Sequence, residues 1–302
     1  MRYITNEQLY GLLGDLPPLD REISATTLWV KPQANYILEK LSLDLNGEEN
    51  VPAYFAKPNK SSDNAAFPTV LFCHSHGGKY HIGKDELIHG NTYMFVPPYA
   101  EALTAAGFAV LAIDSPIFGE RHGRAELDYF KELLWHGKVL WGLMVYDHLR
   151  ALDYLHTRPD VDSRRIATLG MSMGSNMAWW LAALDSRIAA CADICCMTDF
   201  HTLIENNSLG SHGVYYYVPS LLKYFDTTAI NSLIAPRPHL SVNGSLDKLT
   251  PEKGMDKIDA ALKAVYAQKQ AANAWQLKKY PVGHVETAEM REDVMGFLAE
   301  WL

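Results

Sequence analysis

From residue 68 onward the chain predicts an α/β architecture, a mostly parallel central sheet covered by helices on both faces. Three observations carry this. Short apolar runs alternate with helix-length segments along the chain. Most of the runs are too short for helices and lack polar alternation, as strands buried on both faces require. Strand-like and helix-like segments also take turns, which places helices on both sides of one sheet.

The elements follow in order. Residues 1–35 read as a helical and then irregular extension, interrupted by Pro17, Pro18 and Pro32. LEKLSLDLNGEENVPAYFAKP comes next, two alternating runs around Asn46-Gly47, a dipeptide suited to an antiparallel hairpin. The expected core strands are TVLFC (69–73), FAVLAI (108–113), RIATL (165–169), AACADIC (189–195), HLSVN (239–243) and QLKKY (276–280). PPYAEALTAAG, VLWGLMVYDHLRALDYLH, SNMAWWLAALD and the segment opening at PEKGMDKIDAALKAVYAQ read as the helices between them. In the second, Trp141, Val145, Leu149, Leu152 and Leu155 form a stripe at helical spacing. TAEMREDVMGFLAEWL closes the chain as a helix. Residues 36–302 are thus expected to form one domain, with a cap-like insert at about 197–235. So long an interval between strands is more often functional than a plain connector.

Composition narrows the classes. With 48% hydrophobic and 21% charged residues in 302, the chain can bury a large core. A net charge of −8 without a long basic run argues against nucleic acid or an anionic membrane as partner. MRYITNEQLYGLLGDLPPLD lacks the apolar centre of a signal peptide, and no segment is apolar enough to span a bilayer. Cys73, Cys191, Cys195 and Cys196 show no zinc-ligand or C-x-x-C spacing, and the expectation is a reduced, cytoplasmic protein. Oligomeric state is left open.

Gly170-Met171-Ser172-Met173-Gly174 fits G-x-S-x-G between a strand and an apolar helix. A serine in such a sharp turn projects above the sheet edge, at the positive end of the following helix. It needs a base to take its proton and a third group to orient that base. His284, in KKYPVGHVET between the last strand and the last helix, is the candidate base. Asp247, in GSLDKLTP after the penultimate strand, is the candidate acid, with Asp193 and Asp199 as rivals. Catalytic groups of open α/β sheets gather at the carboxyl ends of strands, so the three can converge.

An acyl-transfer site also needs backbone amides aimed at the oxyanion. Met173 is one candidate donor; from CHSHGGKYH, Gly78 is the first choice for the other and Gly77 the reserve. His74, His76 and His81 raise metal binding as a rival, but the stretch lacks an interleaved aspartate, and neither metal nor organic cofactor is expected. His76, Phe118, Tyr215 and Tyr216 are candidate substrate-binding residues, and Tyr217, Phe225 and Trp135 are further aromatic wall candidates. Several of these could equally pack the insert against the domain.

VPAYFAKP, HSHGG, GMSMG, GSLD and GHVET together resemble the α/β-hydrolase superfamily, within it the dienelactone-hydrolase-like and acetyl-xylan-esterase-like branch, over roughly residues 36–302. The resemblance implies the α/β-hydrolase fold and a Ser172–Asp247–His284 triad. IDSPIFGERHGR resembles an active-site loop of related esterases; GKDE (83–86) also has a likeness there, with no role attached. Dienelactone hydrolases proper carry cysteine at the place of Ser172, which disfavours that activity. The expected function is a serine carboxylesterase acting on small-acyl, sugar or aryl esters. A serine peptidase or other acyl hydrolase is the alternative, although the N-terminal propeller of acylaminoacyl peptidases is absent. A non-catalytic binding protein of the same fold is the second alternative.

Overall fold

The computed structural model describes residues 5–59 and 66–302, so the first four residues of the expected N-terminal extension lie outside it. The strands are β1 (Ser24–Pro32), β2 (Tyr36–Asp44), β3 (Asn50–Pro58), β4 (Phe67–Cys73), β5 (Ala109–Ile113), β6 (Val161–Met171), β7 (Ala190–Ile194), β8 (His239–Gly244) and β9 (Trp275–Tyr280). They form one sheet in the order β1-β2-β3-β5-β4-β6-β7-β8-β9. The pairs β1–β2, β2–β3 and β3–β5 are antiparallel; from β5 to β9 all neighbours are parallel. The expected α/β class, antiparallel hairpin and six core strands are therefore all present.

The helices are α1 (Asn6–Tyr10), α2 (Glu86–His89), α3 (Tyr99–Ala105), α4 (Glu126–Trp135), α5 (Leu140–Thr157), α6 (Met173–Leu184), α7 (Phe200–Glu205), α8 (Thr227–Ser232), α9 (Glu252–Gln268) and α10 (Ala288–Trp301). Both sheet faces are buried. Strand β5 sends Ala109, Leu111 and Ile113 into one core and Val110 and Ala112 into the other. That explains an apolar run without alternation. The first core takes residues of α5, α6 and α9; the second takes Tyr99 and Leu103 of α3 with Met290, Val294 and Phe297 of α10. No helix among the described residues is long and apolar enough to cross a membrane.

Residues 24–32, expected to be irregular, instead form edge strand β1, running from Ser24 opposite Asp44 to Pro32 opposite Ile37 with a bulge between Thr27 and Trp29. The physical reason is its exposure. Leu28 and Val30 are 53% and 55% exposed, and the strand buries neither face fully, so no alternation marks it in the sequence. Trp29 packs on Tyr54 of β3 at 5.9 Å between ring centroids.

The interval between β7 and β8 holds α7, α8 and three turns of 3₁₀ helix (Leu209–Ser211, Val214–Tyr216 and Leu221–Lys223). It follows the carboxyl end of β7, on the side of the sheet where the candidate residues emerge.

Candidate active site

The turn after β6 is built by its glycines. A Cβ on Gly174 would lie 1.9 Å from the Cys73 carbonyl oxygen of β4, and one on Gly170 would lie 2.3 Å from the Gly174 backbone. Only hydrogen at both positions lets α6 start hard against the end of β4. Ser172 sits between them at φ 57°, ψ −119°, a left-handed backbone that side-chain-bearing residues rarely adopt. Its amide donates to the Ile194 carbonyl at 2.9 Å, which ties the strained residue to the end of β7. Gly174→Ala is expected to cost on the order of 3 kcal/mol, because the Cys73 carbonyl belongs to a central strand and cannot step aside cheaply. Urea unfolding measures this; an unchanged midpoint would mean that β4 yields freely.

Ser172 follows β6, Asp247 follows β8 and His284 follows β9, all at carboxyl ends of the sheet. The His284 Nδ1 lies 2.6 Å from Asp247 Oδ2. The Asp247 side chain is 1% exposed and that of His284 22%. A carboxylate only accepts, so Nδ1 carries the proton and Nε2 keeps its lone pair free to accept one. Asp247 Oδ1 accepts the Leu249 amide at 2.9 Å, which fixes the rotation of the carboxylate. The rival acids are committed elsewhere. Asp193 is buried under His239 (2.7 Å), Ser241 (2.8 Å) and Ser175 (3.1 Å), and Asp199 caps α7 through Thr202.

Cys195, after β7, brings its sulfur within 4.8 Å of the Asp247 and His284 ligand atoms, a donor set that a soft divalent ion could use. Burial pushes the Cys195 thiol up to about 12, so at neutral pH it stays protonated. Burial pushes Cys196 up to about 12 as well. These thiols are poor nucleophiles in this setting, which leaves the hydroxyl of Ser172 as the reactive candidate.

The loop after β4 departs from the expectation at Gly78. Its amide donates to His76 Nδ1 at 3.0 Å, so that N–H is engaged within the loop. The amides of Met173, His76 and Gly77 have no acceptor among the described residues and are the free donors at this edge. Because Nδ1 of His76 accepts, Nε2 carries the proton and donates to the Tyr215 hydroxyl at 2.9 Å. Burial pulls His76 down to about 4, so it is neutral in its bridging role. His74 also has both nitrogens engaged, Nδ1 with the Ser75 carbonyl (2.9 Å) and Nε2 with the Ser115 amide (3.1 Å). His81 is exposed. The three histidines therefore do not form one ligand set.

The expected aromatic residues divide. Phe118 and Tyr215 meet His76 at 5.6 Å each, and Tyr80 stacks on Phe118 at 4.7 Å. Glu126 of α4 accepts both the Tyr80 hydroxyl (2.5 Å) and the Tyr215 amide (3.0 Å), pinning the insert to this cluster. Tyr216 instead packs between Trp141 and Phe200, Phe225 is buried in the core, and the Tyr217 hydroxyl donates to the Leu209 carbonyl. Trp135, expected as a wall, is 90% exposed, since α4 ends there facing solvent. The insert also lines a half-open apolar hollow of about 440 Å³, walled by Phe200, Leu203, Leu209, Tyr216 and Leu221 and without Ser172, Asp247 or His284.

GKDE now has a role. Lys84, 1% exposed, reaches Asp114 Oδ2 at 2.9 Å and Glu120 at 2.6 Å. It thereby ties the β4 loop to IDSPIFGERHGR, the loop that carries Phe118. Glu86, also buried, accepts the Ser75 amide at 2.7 Å. Sequence reasoning attached no role to Glu86 within GKDE, and it missed Glu126, Tyr93 and His212. The last lies close enough to Asp247 and His284 to feel their charge, although burial is the main cause of its lowered pKa. None of these three missed residues sits in a motif that would flag it.

Known proteins share this fold. A sequence model of the alpha/beta hydrolase fold matches residues 68–237. "Putative hydrolase YtaP" of Bacillus subtilis is 52% identical over 302 residues, covering 100% of both chains. A glucuronoyl esterase from Solibacter usitatus superposes with a TM-score of 0.75 at 15% identity, over 97% of this chain and 91% of that one. An acetyl xylan esterase from Paenibacillus sp. R4 gives 0.66 at 19% identity, over 98% and 92%. With the strand–turn–helix at Ser172 lying inside the matched segment and a full-length relative at this identity, the chain belongs to the alpha/beta hydrolase fold family.

Proposed function

We propose that the protein is a serine carboxylesterase, with Ser172 as nucleophile, His284 as general base and acid, and Asp247 as the group that orients the imidazole. The observation that carries this reading is the pairing of a strained serine at the start of α6 with a 2.6 Å His284–Asp247 hydrogen bond, at the same edge of the sheet. His284 Nε2 takes the Ser172 proton while Oγ attacks the ester carbonyl. The tetrahedral oxyanion is met by the Met173 amide and by an amide of the β4 loop, His76 or Gly77. The alkoxide leaves with the proton from Nε2, giving an acyl-enzyme and a free alcohol. Water, deprotonated by the same nitrogen, then releases the acid and restores Ser172.

Two features support an ester with a small acyl group and a flat or sugar-like alcohol. The half-buried rings of His76 and Tyr80, backed by the buried Phe118 and Tyr215, lie beside the β4 loop and suit stacking on a ring. The superposable esterases also bear names of carbohydrate esterases. The test is intact mass after a fluorophosphonate probe, followed by a panel of p-nitrophenyl and acetylated-sugar esters. One adduct on the wild type, absent from Ser172→Ala, with faster turnover of acetyl than octanoyl esters, is the expected result. A wild type that takes no adduct and cleaves no ester would sink the reading.

A further inference from the structure

The segment between α2 and α3 has no motif, yet it joins the two loops on which the reaction depends. The phenol of Tyr93 sits in a buried chain of hydrogen bonds. Asn91 Nδ2 donates to the Tyr93 hydroxyl at 2.8 Å, that hydroxyl meets Ser75 Oγ at 2.5 Å, and Ser75 Oγ donates to Glu86 at 2.5 Å. With the serine proton donated to Glu86, the tyrosine proton has two acceptors, Ser75 Oγ at 2.5 Å and Glu86 Oε2 at 3.3 Å. Glu86 is fully buried, and burial raises its pKa against the lowering effect of the Ser75 donors. This chain ends on the β4 loop, whose amides are the free donors.

The main chain of Tyr93 runs the other way. Its carbonyl accepts the Glu286 amide at 2.8 Å, two residues beyond His284. The Glu286 carboxylate in turn accepts the Phe95 amide (3.0 Å), the Tyr99 hydroxyl (2.5 Å) and the Arg291 guanidinium (2.8 Å). The histidine loop is therefore fastened along the 93–99 segment. Between its two attachments the Tyr93 ring lies against both loops. Its centroid is 6.0 Å from that of the His284 ring, and a Cβ on Gly77 would come within 2.3 Å of its Cε1. The left-handed Gly77 (φ 52°) leaves the room that this ring fills.

We propose that Tyr93 is a positioning residue that sets the separation between the His284 loop and the oxyanion-side loop at His76–Gly77. The proposal rests on the catalytic reading of His284 given above. Asp247 holds His284 by one hydrogen bond, and a single bond leaves the imidazole free to swing about it. The Tyr93 spacer removes that freedom from the opposite side. Displacement of a catalytic group by about 1 Å costs roughly 10²-fold in rate, so a spacer of this kind acts on kcat rather than on substrate affinity.

The experiment uses the full chain carrying Tyr93→Phe, which keeps the ring and deletes the phenolic oxygen. Turnover of p-nitrophenyl acetate is expected to fall about 10- to 100-fold in kcat with KM changed less than about twofold. The low-field proton of the His284–Asp247 hydrogen bond, followed by NMR, is expected to broaden as its exchange with water speeds up. Asn91→Ala, which removes one donor to the phenol, should shift both readouts the same way by less, and it carries the test if Tyr93→Phe fails to fold. A fall in melting temperature with kcat and the low-field proton unchanged would reduce Tyr93 to a packing residue and overturn the proposal. The NMR signal needs no substrate. A wild type inactive on every ester would count against the esterase reading alone, while the response of that proton to Tyr93→Phe would still decide the role of Tyr93.

Discussion

Ser172→Ala is expected to lower kcat for ester hydrolysis by about 10⁴- to 10⁶-fold while leaving the fold intact. Alanine tolerates the φ of 57° about as well as serine does, and Ser172 makes its structural hydrogen bond through its amide rather than its side chain. The substitution therefore removes a nucleophile and little else. Unfolding curves of the two proteins should coincide within about 0.5 kcal/mol, as for other substitutions that leave packing untouched. What rate survives would come from the amides and from substrate binding. A variant within tenfold of the wild type would show that the oxygen attacking the ester is not that of Ser172.

Asp247→Asn is expected to cost about 10⁴-fold in kcat, because it reverses the tautomer of His284. The Leu249 amide donates to Oδ1 at 2.9 Å, so an asparagine must keep its carbonyl oxygen there. Its NH₂ group then falls where Oδ2 stood, 2.6 Å from Nδ1. Two donors cannot face each other, so the imidazole proton moves to Nε2, the nitrogen that must accept from serine. The same loss should appear in the rate of fluorophosphonate labelling, which reports the nucleophile without any leaving-alcohol step. Labelling at the wild-type rate would mean that Asp247 does not govern the tautomer.

The parts of this molecule legible in the sequence are those where one residue type answers one local constraint. GMSMG could be placed because glycine alone fits beside Cys73 at the top of β4. Strands such as β4 and β5 could be placed because burial on both faces leaves them as short, nearly continuous apolar runs. Asp247 and His284 could be placed because each lies just past a strand in the second half of the sheet. Strand β1 escaped notice because exposure on both faces erases the alternation that marks a strand. Gly78 was preferred over its neighbours because sequence cannot say which amide a side chain already occupies; the His76 ring occupies that one. Tyr93 was invisible, and Glu86 stood in GKDE without a role, for a related reason. Their contacts with Ser75 span 11 and 18 residues, and no spacing rule links them.

The two borders of the sheet bear on how copies of this chain behave in a crowded solution. Any unpaired strand offers its backbone as a template on which another chain can add. On β1 that invitation is spoiled by the bulge between Thr27 and Trp29 and by Pro32, which has no amide to give. On β9 it is spoiled by charge: Lys278 is held by Asp293 of α10 on one side and Lys279 by Glu252 and Asp256 of α9 on the other. A strand approaching β9 would have to displace tethered ammonium groups from both faces. Polymerisation through stacked sheet borders is thus blocked at each end by a different device, one made of backbone shape and the other of fixed charge.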